Sequence, residues 1–249
     1  MRKHIPNIIT CCNLVSGCIA VVYALQFNPR MAQMALLFVI IGAVFDFFDG
    51  MSARLLGVSS DIGKELDSLA DDVTFGVAPS AIIFAELRVL DYPSFLNAMP
   101  VVTTLLPYLA FVVAAFSAVR LAKFNLDTRQ TTSFIGLPTP ANALFWGALI
   151  VGFGPLLEQY KLYGLLIVLG IFLSSWLLVA EIPMFALKFK HWGFKGNEIK
   201  YCFILFSALV LIAAVAAGIA TGRYHLCWSG FSVVIVAYVL VSIIQKDKT

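Results

Sequence analysis

The sequence predicts an all-α fold, a polytopic membrane helical bundle of about eight transmembrane helices with the N- and C-termini both cytoplasmic. Three observations carry this expectation. First, the 249 residues are 61% hydrophobic and only 12% charged, with a mean hydropathy of +0.93, whereas about a quarter of the residues in a water-soluble domain are charged. Second, the chain divides into eight apolar stretches near the roughly 20 residues that cross a bilayer. Third, Lys and Arg gather on one side of the resulting topology. This composition excludes a disordered chain, a coiled coil and a secreted disulfide scaffold. The five cysteines, Cys11, Cys12, Cys18, Cys202 and Cys227, include no C-x-x-C and lie in apolar stretches, so they indicate neither a zinc site nor a disulfide framework. A net charge of +3 says little by itself, and no nucleic-acid partner is expected.

In order, the expected spans are 5–26, 31–48, 66–85, 99–119, 138–157, 163–187, 199–221 and 228–244. Met1-Arg2-Lys3 before an apolar run resembles a signal peptide. However, Asn7, Thr10, Asn13 and Ser16 interrupt that run and no small-x-small cleavage site follows, so the first span is read as a retained helix. The breaks fall at Asn28-Pro29, the polar run 57–64, Asp91-Tyr92-Pro93, 123–133, Gly154-Pro155, the basic segment 188–200, and 222–225. With the N-terminus in the cytoplasm, thirteen Lys and Arg fall on that side and four, Arg30, Arg88, Lys161 and Arg223, on the other, as the positive-inside rule requires. Tyr23, Tyr92, Tyr108, Tyr160, Tyr163, Trp192 and Trp228 lie near span ends and are expected as interfacial anchors.

Against this apolar background, half of the 14 acidic residues fall within 27 positions: Asp46, Asp49, Asp61, Glu65, Asp67, Asp71 and Asp72. Helical spacing of three or four puts Asp46 with Asp49 on one face and Asp67 with Asp71 on another. A helical hairpin lets the two pairs face each other. Carboxylates converging in a low dielectric either protonate or find positive partners. Hard divalent cations suit an oxygen-only set, and a two-metal clamp suits phosphoryl chemistry. Gly50 and Arg54, four apart beside Asp49, supply close backbone approach and a forked donor for phosphate. Two other readings are an ion or proton pathway and solvated helix caps; the second fits Asp61 and Glu65.

The pattern D-x-x-D-G-x-x-A-R-x8-G-x3-D-x3-D is present as Asp46, Asp49, Gly50, Ala53, Arg54, Gly63, Asp67 and Asp71. It resembles the signature of the CDP-alcohol phosphatidyltransferases, integral membrane enzymes that move a phosphatidyl group from a CDP-linked lipid to an alcohol and release CMP. The resemblance implies that Asp46, Asp49, Asp67 and Asp71 hold two divalent cations (Mg²⁺ or Mn²⁺, or Ca²⁺), with Asp71 also the general base. Gly50, Ala53, Arg54 and Ser60, with Asp49, match positions around the CDP-lipid. It further implies a six-helix core over 1–187, two additional helices over 188–249, and a homodimer.

Three segments outside the signature are similar to the phosphatidylserine synthase branch of that family. They are Pro6-Asn-x-x-Thr10-x-x-Asn13-Leu-x-Ser-Gly17, Arg120-Leu-Ala-Lys123-Phe-Asn125, and Phe134-Ile-Gly-Leu-Pro-Thr-Pro140. Spacing alone leaves Asn7 and Thr10 open between helix packing and hydrogen bonds to a nucleotide; the resemblance favours the nucleotide. Arg120 and Lys123 are read either as topology anchors or as binders of an acceptor carboxylate or a lipid phosphate. The expectation is phosphatidyl transfer from CDP-diacylglycerol to L-serine at the cytoplasmic face of a bacterial or archaeal cell membrane. Glycerol phosphate or inositol phosphate is the alternative acceptor, and an ion or proton-coupled transporter the alternative class. Asp72 has no role in this reading.

Overall fold

The computed structural model describes residues 4–58, 60–127, 134–185, 193 and 197–246. The chain folds into helices α1 (Ile5–Ala24), α2 (Pro29–Leu56), α3 (Asp61–Val89), α4 (Pro100–Leu126), α5 (Thr139–Leu157), α6 (Tyr163–Val179), α7 (Glu198–Thr221) and α8 (Leu226–Lys246). Seven of these are long and apolar enough to cross a membrane, and α6 is a shorter apolar helix of 17 residues. The protein is therefore an all-α integral membrane bundle. Its only sheet among the described residues is the two-residue pairing of β1 (Phe134–Ile135) with β2 (Pro183–Met184).

Helix ends follow local chemistry more closely than hydropathy. Asn28 caps α2, its side chain accepting from Arg30 N, and Pro29 occupies the first turn, where a missing N–H costs nothing. α2 continues past 48 to Leu56 and stops at Gly57, whose φ of 62° gives the left-handed turn that closes the helix on the Ala53 and Arg54 carbonyls. Ser60 then caps α3, accepting from Gly63 N at 3.0 Å. α3 is not uniform: an α segment Asp61–Asp71 passes into a π-helical segment Asp72–Val77 before the α geometry resumes at Ala78.

Uncharged polar residues lie inside the bundle and many large apolar ones outside it. Asn13, Thr74, Ser80, Ser117, Thr139 and Asn142 are fully buried, while Ile8, Val22, Leu55, Ile62, Leu69 and Leu126 are exposed. That arrangement suits a lipid surround, where small and polar residues mediate helix contact. α1, α2 and α3 meet at Thr74. Its hydroxyl donates to the Asn13 carbonyl at 3.0 Å, and Gly17 and Gly42 make room for it. Further along, Trp146 Nε1 donates to Ser174 Oγ at 3.0 Å, joining α5 to α6. Gly136, at φ 77°, lets the strand pair press against the end of α6; a Cβ there would lie 2.5 Å from the Leu178 carbonyl oxygen. α8 docks on α5, with Ser229 against Gly152, and Tyr238 OH donates to Phe185 O at 3.0 Å.

Two expected interfacial anchors turn out to be internal. Tyr92 is 5% exposed and donates to Leu87 O, and Tyr163 is 3% exposed beneath α3. Both close loops back onto the bundle. Trp192 lies outside the described residues. Nearby, Lys161 pairs with the exposed Asp91 at 3.2 Å, and Lys161 and Asn97 hold the Asp91 carboxyl below its ordinary range.

The Thr74 junction yields a stability prediction. In Gly17→Ala the new Cβ would stand 2.5 Å from Thr74 Oγ1 and 2.8 Å from Thr74 Cα. Overpacking of this kind costs about 1–3 kcal/mol. Thermal unfolding in detergent should show a clearly lowered Tm for Gly17→Ala and an equal or slightly raised one for Gly50→Ala, a position inside α2 whose Cβ meets nothing within 4 Å.

Candidate active site

α2 stops at Gly57 and α3 starts from its cap at Ser60, and the two acidic segments lie side by side at one end of the bundle. One carboxylate oxygen from each of Asp46, Asp49 and Asp67 lies within 4.8 Å of the others. Asp71 stands one turn beyond Asp67. It is outside that trio but within electrostatic reach of Asp46, Asp67 and Asp49.

α1 orients these groups. Thr10 Oγ1 is 2.7 Å from Asp49 Oδ2 and also 3.0 Å from Pro6 O, and Asn13 Nδ2 donates to Asp71 Oδ1 at 3.1 Å. Asn7, half-buried on the same face three residues earlier, has its Oδ1 3.1 Å from where a Gly63 Cβ would stand. The polar stripe Asn7, Thr10 and Asn13 thus lines the acidic hairpin. Asn13 is the contact to the acidic group that residue-by-residue reasoning missed. Its signal was the spacing of three that it shares with Asn7 and Thr10.

Of the other expected residues, Gly50 has open space at its Cβ position, Ala53 is half-buried, and Arg54 is exposed on the last turn of α2. Ser60 is exposed and caps α3. Asp61 and Glu65 are exposed on the first turns of α3, as solvated residues should be. Arg120 is 7% exposed, with its guanidinium 5.1 Å from the centre of the Phe124 ring, whereas Lys123 is exposed. Both border a cavity of about 40 Å³ beside Asp127 and Glu181. A second contact, Asn125 Nδ2 to Ser68 Oγ at 2.7 Å with Lys64 Nζ on Asn125 O at 2.9 Å, ties the end of α4 to α3. A larger cavity of about 280 Å³ lies between Asn28, Gln33, Glu86 and Glu158 and contains none of the signature residues.

The acidic group fits a hard divalent cation. Its donors are all oxygens, Asp67 Oδ1 is buried without a hydrogen-bond partner, and no ion pair to Lys or Arg is formed by the four aspartates among the described residues. Charges packed this way need positive counterparts from outside the chain. The arrangement can hold a polyanion through cations, with Gly50 leaving the backbone approachable and Arg54 free to reach a phosphate.

The comparisons agree with this class of chemistry. The family model for CDP-alcohol phosphatidyltransferase matches residues 3–187, and the chain belongs to that family of transferases. It is 35% identical over 189 residues to the CDP-diacylglycerol–serine O-phosphatidyltransferase of Bacillus subtilis, covering 76% of this chain and 91% of that protein. The enzyme of the same name from Methanocaldococcus jannaschii is 32% identical over 172 residues, covering 69% and 71%. That of Saccharomyces cerevisiae is 38% identical over 162 residues, covering 60% of this chain and 52% of the yeast protein.

Metal binding can be read without turnover. A cation that binds only the folded state stabilises it by about 2.7 kcal/mol at a hundred times its Kd. Titrating Mn²⁺ or Mg²⁺ into purified protein should therefore raise Tm, and Asp67→Asn should lose most of that rise. Thr10→Val should weaken it, because Asp49 then loses the hydroxyl that orients it.

Proposed function

We propose that this protein transfers the phosphatidyl group of CDP-diacylglycerol to the hydroxyl of L-serine, giving phosphatidylserine and CMP. The observation that carries the proposal is the convergence of Asp46, Asp49 and Asp67, with Asp71 beside them, at one end of an apolar bundle. The names of the relatives support serine as the acceptor. The thirteen-to-four distribution of Lys and Arg supports a cytoplasmic location for that end. There the acyl chains stay in lipid while nucleotide and serine arrive from water.

In this reading Asp46, Asp49, Asp67 and Asp71 hold two divalent cations, Mg²⁺ or Mn²⁺. These would neutralise the diphosphate and stabilise the departing CMP. Arg54 and the open backbone at Gly50 and Ala53 hold the phosphates, with Ser60 at the mouth. Asn7 and Thr10 face the nucleotide side, Thr10 also steadying Asp49. Serine Oγ attacks the lipid-side phosphorus, the phosphorus–oxygen bond to CMP breaks, and the serine hydroxyl proton passes to Asp71. Asn13 fixes one oxygen of Asp71 and leaves the other to take that proton. Arg120, buried and stacked, is the fork for the serine carboxylate. Lys123, exposed beside it, attracts anions to the mouth.

Purified protein incubated with CDP-diacylglycerol, Mn²⁺ and labelled serine should release CMP and form labelled lipid, and chelation should abolish both. Product with glycerol phosphate or inositol phosphate in place of serine would overturn the acceptor, and no CMP with any alcohol would overturn the enzyme reading. Asp71→Asn should abolish turnover while keeping much of the CDP-diacylglycerol binding. Arg120→Ala should raise the serine KM more than that for CDP-diacylglycerol.

A further inference from the structure

The cavity of about 280 Å³ takes no part in the chemistry assigned above. It lies at the far end of the bundle, lined by residues from the end of α1, the start of α2 and the ends of α3 and α5. On α2, Gln33 precedes Asp46, and on α3, Glu86 follows Asp71, in both cases by about four helical turns, so the cavity stands roughly 20 Å from the acidic group.

Two carboxylates line this cavity, Glu86 and Glu158. Glu158 is exposed, whereas Glu86 reaches inward. Its Oε1 is buried without a hydrogen-bond partner, 3.1 Å from the point where a Gly154 side chain would begin. Tyr163 OH, also unpartnered and on a residue only 3% exposed, lies 3.8 Å from the same point. Glu158 and Tyr163 act on Glu86 electrostatically, and no Lys or Arg is among the groups that do. Lys161, in the loop at the same end, is paired with Asp91. A carboxylate held this far inside needs a positive counterpart from outside the chain.

The rest of the lining decides what kind of cation fits. A hard metal ion takes about six or more oxygens drawn close around it. Here the two carboxylates and the amides of Asn28 and Gln33 face a wall of hydrocarbon that includes Ala24, Ile82, Ile150 and Val151. Oxygen on one side and carbon on the other complement an ammonium carried on a carbon chain. The surroundings add a preference for lipid. Arg30 and Arg88, both exposed, adjoin the lining residues Pro29 and Val89 in sequence and offer donors for a phosphate, while Phe27 and Val89 present apolar surface to the outside.

We propose that this cavity binds the primary ammonium of an aminophospholipid headgroup at the membrane face opposite the acidic site, with Glu86 as the inner carboxylate, Glu158 as the outer one and Tyr163 as a further hydrogen-bonding group. A headgroup seated there bridges α2, α3 and α5, and the first two carry the aspartates at their other ends. The proposal holds whichever alcohol the enzyme uses as acceptor.

Thermal unfolding of the purified full chain in detergent tests it, with dihexanoylphosphatidylethanolamine as the probe and dihexanoylphosphatidylglycerol, which lacks the amine, as its control. The ethanolamine lipid should raise Tm in a saturable way and the glycerol lipid much less; equal rises would overturn the proposal, and this comparison needs no variant. In Glu86→Gln the apparent affinity for the ethanolamine lipid should fall by about tenfold or more, as expected when a buried charge loses its partner, whereas Asp67→Asn should keep it. Retention in Glu86→Gln, or loss in Asp67→Asn, would overturn the assignment to this cavity. Free ethanolamine matching the lipid at equal concentration would overturn the lipid as occupant. A rise with Mg²⁺ that survives Asp67→Asn and vanishes in Glu86→Gln would overturn the ammonium in favour of a metal ion. None of these outcomes touches CMP release with serine, so serine transfer stands or falls separately.

Discussion

Thr74 sits where three helices cross, and the height of the acidic groups depends on that crossing. The Gly17 and Gly42 positions let α1 and α2 approach α3 so closely that any side chain there would strike Thr74, and the threonine hydroxyl is spent on the Asn13 carbonyl. With its backbone pinned, Asn13 presents its amide to Asp71, and one turn nearer the helix start Thr10 presents its hydroxyl to Asp49. A slide of α1 by one turn, about 5.4 Å, would separate both pairs. Close packing deep in the bundle therefore sets the aim of carboxylates at its end.

The site is expensive to assemble and is assembled where the expense is lowest. Four carboxylates in the middle of the bundle would lack both water and cations, while in an open loop they would lack a fixed geometry. At the end of a helical hairpin, closed by Gly57 and capped by Ser60, they are held by rigid backbone in a place that ions and the proposed nucleotide substrate could reach. Apolar residues such as Leu55, Ile62 and Leu69 are exposed beside the acidic face, which suits an end set at a lipid boundary, where the proposed lipid substrate would present its headgroup.

Much of this was legible in the sequence, for identifiable reasons. The spans were visible because lipid demands long apolar runs, and the acidic pairs were visible because helical spacing survives any context. Helix ends were less so: α2 runs through Asp46–Arg54 because backbone hydrogen bonding continues into polar surroundings, where hydropathy has already fallen. Tyr92 and Tyr163 lay near span ends but fold inward to satisfy loops, which aromatic placement alone does not reveal. Asn13 and Thr74 were hidden because uncharged polar residues in a membrane helix serve packing and chemistry with the same letters. The π-helical segment has no sequence signature at all.

That segment, Asp72–Val77, joins two halves of α3 with different duties: the half before it presents acids, and the half after it buries its own apolar residues, Ile82, Ile83 and Leu87 among them. Each residue advances an α-helix by about 100°, so the wider turn acts as an angular spacer between the halves. The number of residues from Asp71 to Ala78 thus fixes the bearing of the acids relative to the buried half. Point substitutions within the spacer leave that bearing intact, whereas loss or gain of one residue rotates the whole acidic face away from α1 and α2.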